Sequence, residues 1–164
     1  MKQSCKINER IFTPHLLQAQ IKWWRLINKK IAFTNGVFDI LHEGHIKVLS
    51  HAASFADVLI VGVNSDASVK RLKGNNRPVN NQQSRALLLA SLIMVDAVSI
   101  FDEDTPLELR KNVMLDVLIK GGDYNPGTIV GAKEVIANGG KIEIIPLEGG
   151  FSTTGIIEKM KQIR

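Results

Sequence analysis

The stretch from Thr34 to His45, Thr-Asn-Gly-Val-Phe-Asp-Ile-Leu-His-Glu-Gly-His, constrains the fold of this chain more than any other. A short apolar run precedes it at residues 31–33, and a helical pattern follows at residues 46–53. A strand that turns into a helix in this way leaves unpaired backbone N–H groups at the helix start, and these groups attract anions. The stretch therefore predicts a phosphate site at the end of a strand.

Two histidines, His42 and His45, stand three residues apart at this helix start, so their side chains can lie on one helical face. Gly44 between them removes a side chain where a ligand must approach closely. Asp39 also permits a metal site of two histidines and a carboxylate. Phosphate suits the position after a buried strand better than a metal does. We expect both imidazoles to donate to phosphate oxygens as charge shifts in a transition state.

Strand and helix patterns alternate along the rest of the chain. After a helix that Thr13 caps, strands are predicted to start at Ile31 and to cover residues 57–64, 95–100, 117–119 and 141–145. Five strands separated by helices predict an α/β fold, a doubly wound, Rossmann-like, five-stranded parallel sheet with helices on both faces. We expect an N-terminal segment and helix at residues 1–30 and a single α/β domain at residues 31–164.

Ligands of such sheets bind beyond the carboxyl ends of the strands. Two more segments there carry polar groups. Gly121-Gly122-Asp123 is either a tight turn or a place where a ribose or base passes close to the backbone, with Asp123 accepting from a hydroxyl. Ser152-Thr153-Thr154 is either an ordinary helix cap or a phosphate clamp of hydroxyls and helix amides. We expect both to line one cleft with the Thr34–His45 stretch.

Basic residues follow the second strand. In isolation they would form a solvated loop, but at the rim of a cleft they could neutralise a triphosphate or a sugar phosphate. The predicted phosphate-binding or substrate-binding set is Lys70, Arg71, Lys73, Arg77 and Arg85. Lys47 lies one turn into the helix of the histidines, on the side where a substrate phosphate could sit.

Charge and composition favour small acidic ligands. The net charge of +5 favours acidic partners, but aromatic residues make up only 5%, so we expect small phosphates and no nucleic acid. The single cysteine excludes an intramolecular disulfide, and neither a signal peptide nor a membrane-spanning run is visible, so we expect a cytoplasmic protein without membrane contacts. Trp23 and Trp24 are best explained by packing, with a homodimer contact as the alternative.

The pattern Gly36-x-Phe38-Asp39-x-x-His42-x-Gly44-His45 resembles the signature of the nucleotidylyltransferase superfamily. The resemblance implies that His42 and His45 stabilise a pentavalent α-phosphate. Lys47 resembles the lysine of the Gly-His-Ile-Lys sequence in glycerol-phosphate cytidylyltransferases, and it completes the predicted catalytic set. The implied nucleotide site comprises Thr34, Asn35, Gly36, Phe38, Asp39, Gly44, Gly121, Asp123, Ser152, Thr153 and Thr154, the last three gripping the β- and γ-phosphates.

Further segments resemble the heptose 1-phosphate adenylyltransferase branch, stand-alone form, of this superfamily. They include Arg71-Leu72-Lys73-Gly74, Arg77-Pro78-Val79-Asn80 and Lys120-Gly121-Gly122-Asp123-Tyr124. The resemblance implies ATP and D-glycero-β-D-manno-heptose 1-phosphate as substrates, with Mg²⁺ held mostly by phosphate and water oxygens. No dedicated metal site is predicted. Two alternatives stay open: a cytidylyltransferase acting on glycerol 3-phosphate or another small phosphate, and a nucleotide-binding regulatory module without turnover.

Overall fold

The fold was analysed in a computed structural model, which describes residues 6–103, 115–122, 129–146 and 152–163. After a 3₁₀ turn at Ile7–Arg10, the strands are β1 (Ile11–Phe12), β2 (Ile31–Gly36), β3 (Val58–Asn64), β4 (Ala97–Phe101), β5 (Val117–Gly121) and β6 (Lys141–Ile145). The helices are α1 (Pro14–Leu26), α2 (Glu43–Ala53), α3 (Asp66–Lys73), α4 (Gln82–Ala90), α5 (Ala132–Ala137) and α6 (Thr153–Gln162).

The described strands form one sheet in the order β1-β4-β3-β2-β5-β6, and neighbouring strands run parallel. The predicted doubly wound parallel sheet is therefore confirmed, with six strands in place of five. The additional strand, β1, has two residues and pairs Ile11 with Val98 at the sheet edge. Two residues are too few to show an alternating pattern in the sequence. The strand forms because β4 offers its edge for pairing.

Helices cover both faces of the sheet. Val48, Leu49 and Ala52 of α2 join Ala86 and Leu89 of α4 in one apolar cluster against the strands. This arrangement is possible because β3 is buried at every position and so needs apolar cover on both faces.

On the other face, Leu17 and Ile21 of α1 pack with Ala132 and Val135 of α5. Helical spacing places Trp24 against the same cluster, in agreement with a packing role. Trp23 points elsewhere and is 54% exposed. No helix in the described ranges is long and apolar enough to cross a membrane.

The position of β2 determines where a ligand can bind. β2 pairs with β3 on one side and with β5 on the other, Thr34 lying opposite Val61 and Ile119. The chain leaves β2 through α2, which covers one face, whereas the α5 crossover after β5 covers the opposite face. This is a topological switch point, so a crevice opens at the carboxyl ends of β2 and β5.

Candidate active site

A cleft of about 300 Å³ opens at this switch point. Its walls come from the end of β2, the start of α2, the end of β5 and the start of α6. The lining residues are Thr34, Asn35, Gly36, Val37, Phe38, His42, His45, Val48, Gly121, Ser152 and Thr153. Three segments that are far apart in sequence thus meet around one cavity.

The two histidines face this cleft as a stacked pair. His42 is the residue before α2, and its carbonyl oxygen accepts a hydrogen bond from the His45 amide at 3.0 Å. The ring centroids lie 3.8 Å apart and the ring planes differ by 21°. Both Nδ1 atoms are buried, and neither has a hydrogen-bond partner in the described part of the chain. A buried polar atom without a partner costs about 1–3 kcal/mol, so holding the two rings in this arrangement lowers the stability of the fold.

The surroundings of the pair disfavour positive charge. Burial, with a smaller contribution from repulsion by His42, lowers the pKa of His45 to about 4. Burial also lowers the pKa of His42 below its ordinary value. Both imidazoles are therefore largely neutral at neutral pH and each still carries one N–H donor. An anionic phosphate bound against them would favour the protonated form and raise both pKa values.

Phe38 supports the pair from the side of β2. Its ring centroid lies 5.2 Å from that of His45 at an interplanar angle of 58°. Its backbone is left-handed, with φ of 49°, which is uncommon for an aromatic residue. A Cβ atom at Gly36 would lie 3.1 Å from Phe38 Cε2, so the glycine allows the ring to fold back over the strand end.

Asp39, which was expected to line the nucleotide site, is not among the residues that line this cleft. Its side chain has 0% exposure and its carboxylate accepts from Arg77 Nε at 2.6 Å. The amides of Val79 and Asn80 donate to the same carboxylate at 2.8 and 2.9 Å. Burial raises the pKa of the Asp39 carboxyl, but hydrogen bonds from Asn80, Val79 and Arg77 outweigh it and hold the pKa below its ordinary value. These bonds fasten the loop of residues 77–80 to the end of β2.

Arg85, which was predicted to bind substrate phosphate, also lies inside the protein. Its side chain has 0% exposure and donates to the carbonyl oxygen of Val37 at 2.7 Å and to Asp66 Oδ1 at 2.8 Å. Arg77 is 17% exposed and is paired with Asp39. The Arg85 guanidinium also donates Nε to the carbonyl oxygen of Asn80. With three protein acceptors already bonded, its buried N–H groups are not available to a phosphate.

The remaining predicted cations lie at the surface. Lys70, Arg71 and Lys73 are exposed on α3, where Arg71 donates to the backbone carbonyl of Asp102. Lys47 pairs with Glu43 at 2.9 Å. Lys47 and Gly44 line a neighbouring hollow of about 810 Å³ between α2 and the end of β6, and Val48 lines both this hollow and the 300 Å³ cleft.

The start of α6 closes the cleft. Ser152 caps this helix by accepting from the Gly155 amide at 3.0 Å. Thr153 Oγ1 donates to the carbonyl oxygen of Ile40 at 3.5 Å, which ties α6 to the segment that carries the histidines. Thr154 is exposed in the first turn. Asp123 lies outside the described residues.

Lys120 is a cleft-side cation that the sequence reasoning missed. It is the fourth residue of β5, and its Nζ donates to Asn35 Oδ1 at 2.6 Å across the β2–β5 boundary. Asn35 itself lines the cleft. The available signal was a lysine directly after the strand predicted at residues 117–119 and before Gly121-Gly122, at the end of a parallel strand where ligands bind.

Comparison with known proteins gives a family match over most of the chain. Residues 33–159 match the family described as cytidylyltransferase-like. A protein of Hyphomonas neptunium named "Bifunctional protein HldE" is 56% identical over 140 residues, which is 85% of this chain and 29% of the relative. A Campylobacter jejuni protein of the same name is 59% identical over 134 residues, or 82% of this chain and 28% of the relative. The chain spans less than a third of the length of either of these relatives.

A solved structure supports the same fold. The lipopolysaccharide core biosynthesis protein from Thermoplasma volcanium superposes with a TM-score of 0.59 and 27% sequence identity. The match covers 75% of this chain and 99% of that protein.

Proposed function

This chain belongs to the cytidylyltransferase-like family, and on that premise we propose that it transfers AMP from ATP to D-glycero-β-D-manno-heptose 1-phosphate, giving ADP-heptose and pyrophosphate. Membership makes it a transferase of the nucleotidyltransferase class. The observation that carries the proposal is the stacked His42–His45 pair, which lines a cleft at the switch point of the sheet.

The proposed reaction is an in-line displacement at the α-phosphorus of ATP. An oxygen of the sugar phosphate forms a bond to the α-phosphorus while the bond to the bridging oxygen of the β-phosphate breaks, and pyrophosphate leaves with that electron pair. The attacking oxygen already belongs to an anion, so no general base is required. His42 and His45 donate hydrogen bonds to the α-phosphate oxygens, where negative charge redistributes in the transition state.

The other cleft residues have proposed binding roles. Ser152 and Thr153, with exposed Thr154 beside them, offer hydroxyls and helix N-terminal amides to the β- and γ-phosphates. Gly121 allows the nucleoside to approach the end of β5, and we propose that Asp123 accepts from a ribose hydroxyl. Exposed Lys70, Arg71, Lys73 and Lys47 are the proposed cations for the acceptor phosphate.

Mg²⁺ is the proposed cofactor. Among the described residues no three His, Cys, Asp or Glu side chains come together as a metal-binding group, while Ser152 and Thr153 place oxygen donors at the cleft. These oxygens would suit a hard cation, which would be held mainly by phosphate and water oxygens. When bound, Mg²⁺ would neutralise triphosphate charge.

The choice of acceptor rests on sequence similarity. The segments around Arg71, Arg77 and Lys120-Gly121-Gly122 resemble heptose 1-phosphate adenylyltransferases, and the relatives at 56% and 59% identity share one name. The solved neighbour is a lipopolysaccharide core biosynthesis protein, which is compatible with a sugar acceptor for a surface polysaccharide. We also propose a homodimer, for which half-exposed Trp23 offers a contact.

A panel of nucleoside triphosphates against several phosphate acceptors tests the proposal. Pyrophosphate release would be measured with ATP, CTP, GTP and UTP, each with heptose 1-phosphate, glucose 1-phosphate and glycerol 3-phosphate. We expect release to be fastest with ATP and heptose 1-phosphate. Preference for CTP with glycerol 3-phosphate would replace the proposal with a cytidylyltransferase, and nucleotide binding without release for every acceptor would indicate a regulatory module.

A further inference from the structure

The turn that carries Phe38 is held from outside the cleft by two arginines. Arg85 of α4 donates Nη1 to the carbonyl oxygen of Val37 at 2.7 Å, which fixes the peptide before Phe38. On the other side of Phe38, the Asp39 carboxylate accepts from Arg77 Nε at 2.6 Å. Both attachments are buried, since the side chains of Arg85 and Asp39 have 0% exposure.

Asn80 joins the two arginines into one unit. Its side-chain Nδ2 donates to the carbonyl oxygen of Asp39 at 2.7 Å, and its own carbonyl oxygen accepts from Arg85 Nε at 2.9 Å. The third arm of the Arg85 guanidinium, Nη2, donates to Asp66 Oδ1 at the start of α3. The set Asp39, Arg77, Asn80 and Arg85, here called the turn clamp, connects the end of β2 with the loop before α4.

Phe38 needs such support because of its backbone and its neighbours. Its φ of 49° lies in the left-handed region that aromatic residues rarely adopt, so the surrounding structure must hold it there. Its ring lies against His45 at 5.2 Å, and His45 stacks on His42 at 3.8 Å. A shift of the turn would therefore move Phe38 and, with it, the wall that orients both imidazoles.

We propose that Arg85 and the Arg77–Asp39 pair are positioning residues of the active site, which hold Phe38 and thereby fix the His42–His45 stack. None of these three residues lines the 300 Å³ cleft. The inference rests on the proposed function for its kinetic consequence, but its structural core, the link from Arg85 through Phe38 to His45, is measurable without turnover.

The rival explanation is that these buried charges serve stability alone. Arg85→Lys separates the two, because lysine keeps the charge but lacks the planar fork that reaches Val37, Asn80 and Asp66 together. Arg10→Lys is the matched control. Arg10 lies in the 3₁₀ turn before β1, away from the cleft. Like Arg85 it donates to backbone carbonyl oxygens, with Nη1 reaching Val95 at 3.1 Å and Ala90, the last residue of α4, at 3.5 Å.

The experiment compares wild type, Arg85→Lys and Arg10→Lys by thermal unfolding, steady-state kinetics and NMR titration of the His45 ring without nucleotide. For Arg85→Lys we expect kcat to fall about 10- to 100-fold, a smaller change in ATP affinity, and a His45 midpoint displaced toward its ordinary value of about 6.5. Arg10→Lys should lower Tm while kcat and the His45 midpoint stay as in wild type.

The proposal is overturned if Arg85→Lys lowers Tm as Arg10→Lys does but leaves kcat and the His45 midpoint unchanged. If Arg85→Lys does not fold, Arg77→Lys provides the same test, since the Arg77 side chain is 17% exposed and donates to Asp39 within the clamp. The same fall in kcat and the same shift of the His45 midpoint are expected. If the wild-type protein shows no turnover with any acceptor, the proposed reaction fails, and the His45 midpoint still decides the positioning role.

Discussion

The imidazole rings of His42 and His45 stack 3.8 Å apart at the start of α2, too close for both to carry a full positive charge without a bound anion. Both imidazoles are therefore neutral when the site is empty, and a bound phosphate would favour their protonation. The stacking also links catalysis, pH dependence and stability to the same two side chains.

Replacing either histidine should impair turnover more than binding. His42→Ala or His45→Ala removes one donor to the α-phosphate, and we expect kcat to fall about 10²- to 10³-fold while the Kd for ATP changes less than tenfold. Pyrophosphate-release kinetics and calorimetric titration with ATP measure the two quantities. Wild-type kcat in both variants would exclude the proposed role.

The empty protein should lose stability as the pH falls from about 6.5 to about 4. In this window the unfolded His45 is protonated, whereas burial and His42 keep the folded pKa at about 4, so the unfolded state binds more protons. The full shift corresponds to at most about 3.5 kcal/mol, at about 1.4 kcal/mol per pKa unit. Thermal unfolding at pH 7.5 and 5.0 measures it. His45→Phe should flatten the dependence, whereas the surface control His15→Gln should keep it; equal slopes in the two variants would contradict the assignment.

ATP binding should take up protons. The triphosphate favours protonated imidazole, so the complex holds more protons than the empty protein, and affinity should rise as the pH is lowered toward 6. Calorimetry in two buffers with different ionisation enthalpies measures the uptake directly. We expect a positive proton count that disappears in the His42→Ala, His45→Ala double variant. A count unchanged in that variant would place the uptake on another group.

The cap of α6 should matter for nucleotide affinity beyond its effect on the helix. Ser152→Ala and Thr13→Ala each remove a side-chain cap, at a cost of about 1 kcal/mol of stability. Only Ser152 lines the cleft, so only its variant should raise the KM for ATP, by about 10-fold, a charge-assisted hydrogen bond being worth about 1.5–3 kcal/mol. Equal KM values for both variants would reduce Ser152 to an ordinary cap.

Lys120 should contribute to nucleotide binding because it lies beside the cleft and donates to Asn35, which lines it. Lys120→Met removes the cation that donates to Asn35 Oδ1, and we expect ATP affinity to fall about 10-fold. The control is Lys141→Met, since Lys141 begins the neighbouring strand β6 and pairs with Glu143 at the surface. Both variants would be compared by calorimetric titration with ATP. A loss of affinity that is equal in both would indicate a general charge effect and not a site.

Part of the fold and site follows from the sequence because it depends on local signals. The apolar runs at β2, β3 and β5 predicted parallel strands, and parallel strands place their carboxyl ends together, so the meeting of His42, Gly121 and Ser152 around one cleft needed no coordinates. The two-residue strand β1 was not predicted because it is too short to carry a strand pattern of its own and forms only by pairing with the edge of β4.

The sequence by itself determined the fold class, the family motif and the location of the cleft, since apolar periodicity and glycine–histidine spacing act over a few residues. Only the tertiary structure decided which charged residues face that cleft. Arg77 and Asp39 meet from positions 38 residues apart, and Arg85 meets Val37 from 48 residues away. The burial of a charge depends on partners that other segments supply, and no local pattern around Arg85 distinguishes a phosphate ligand from the centre of the turn clamp.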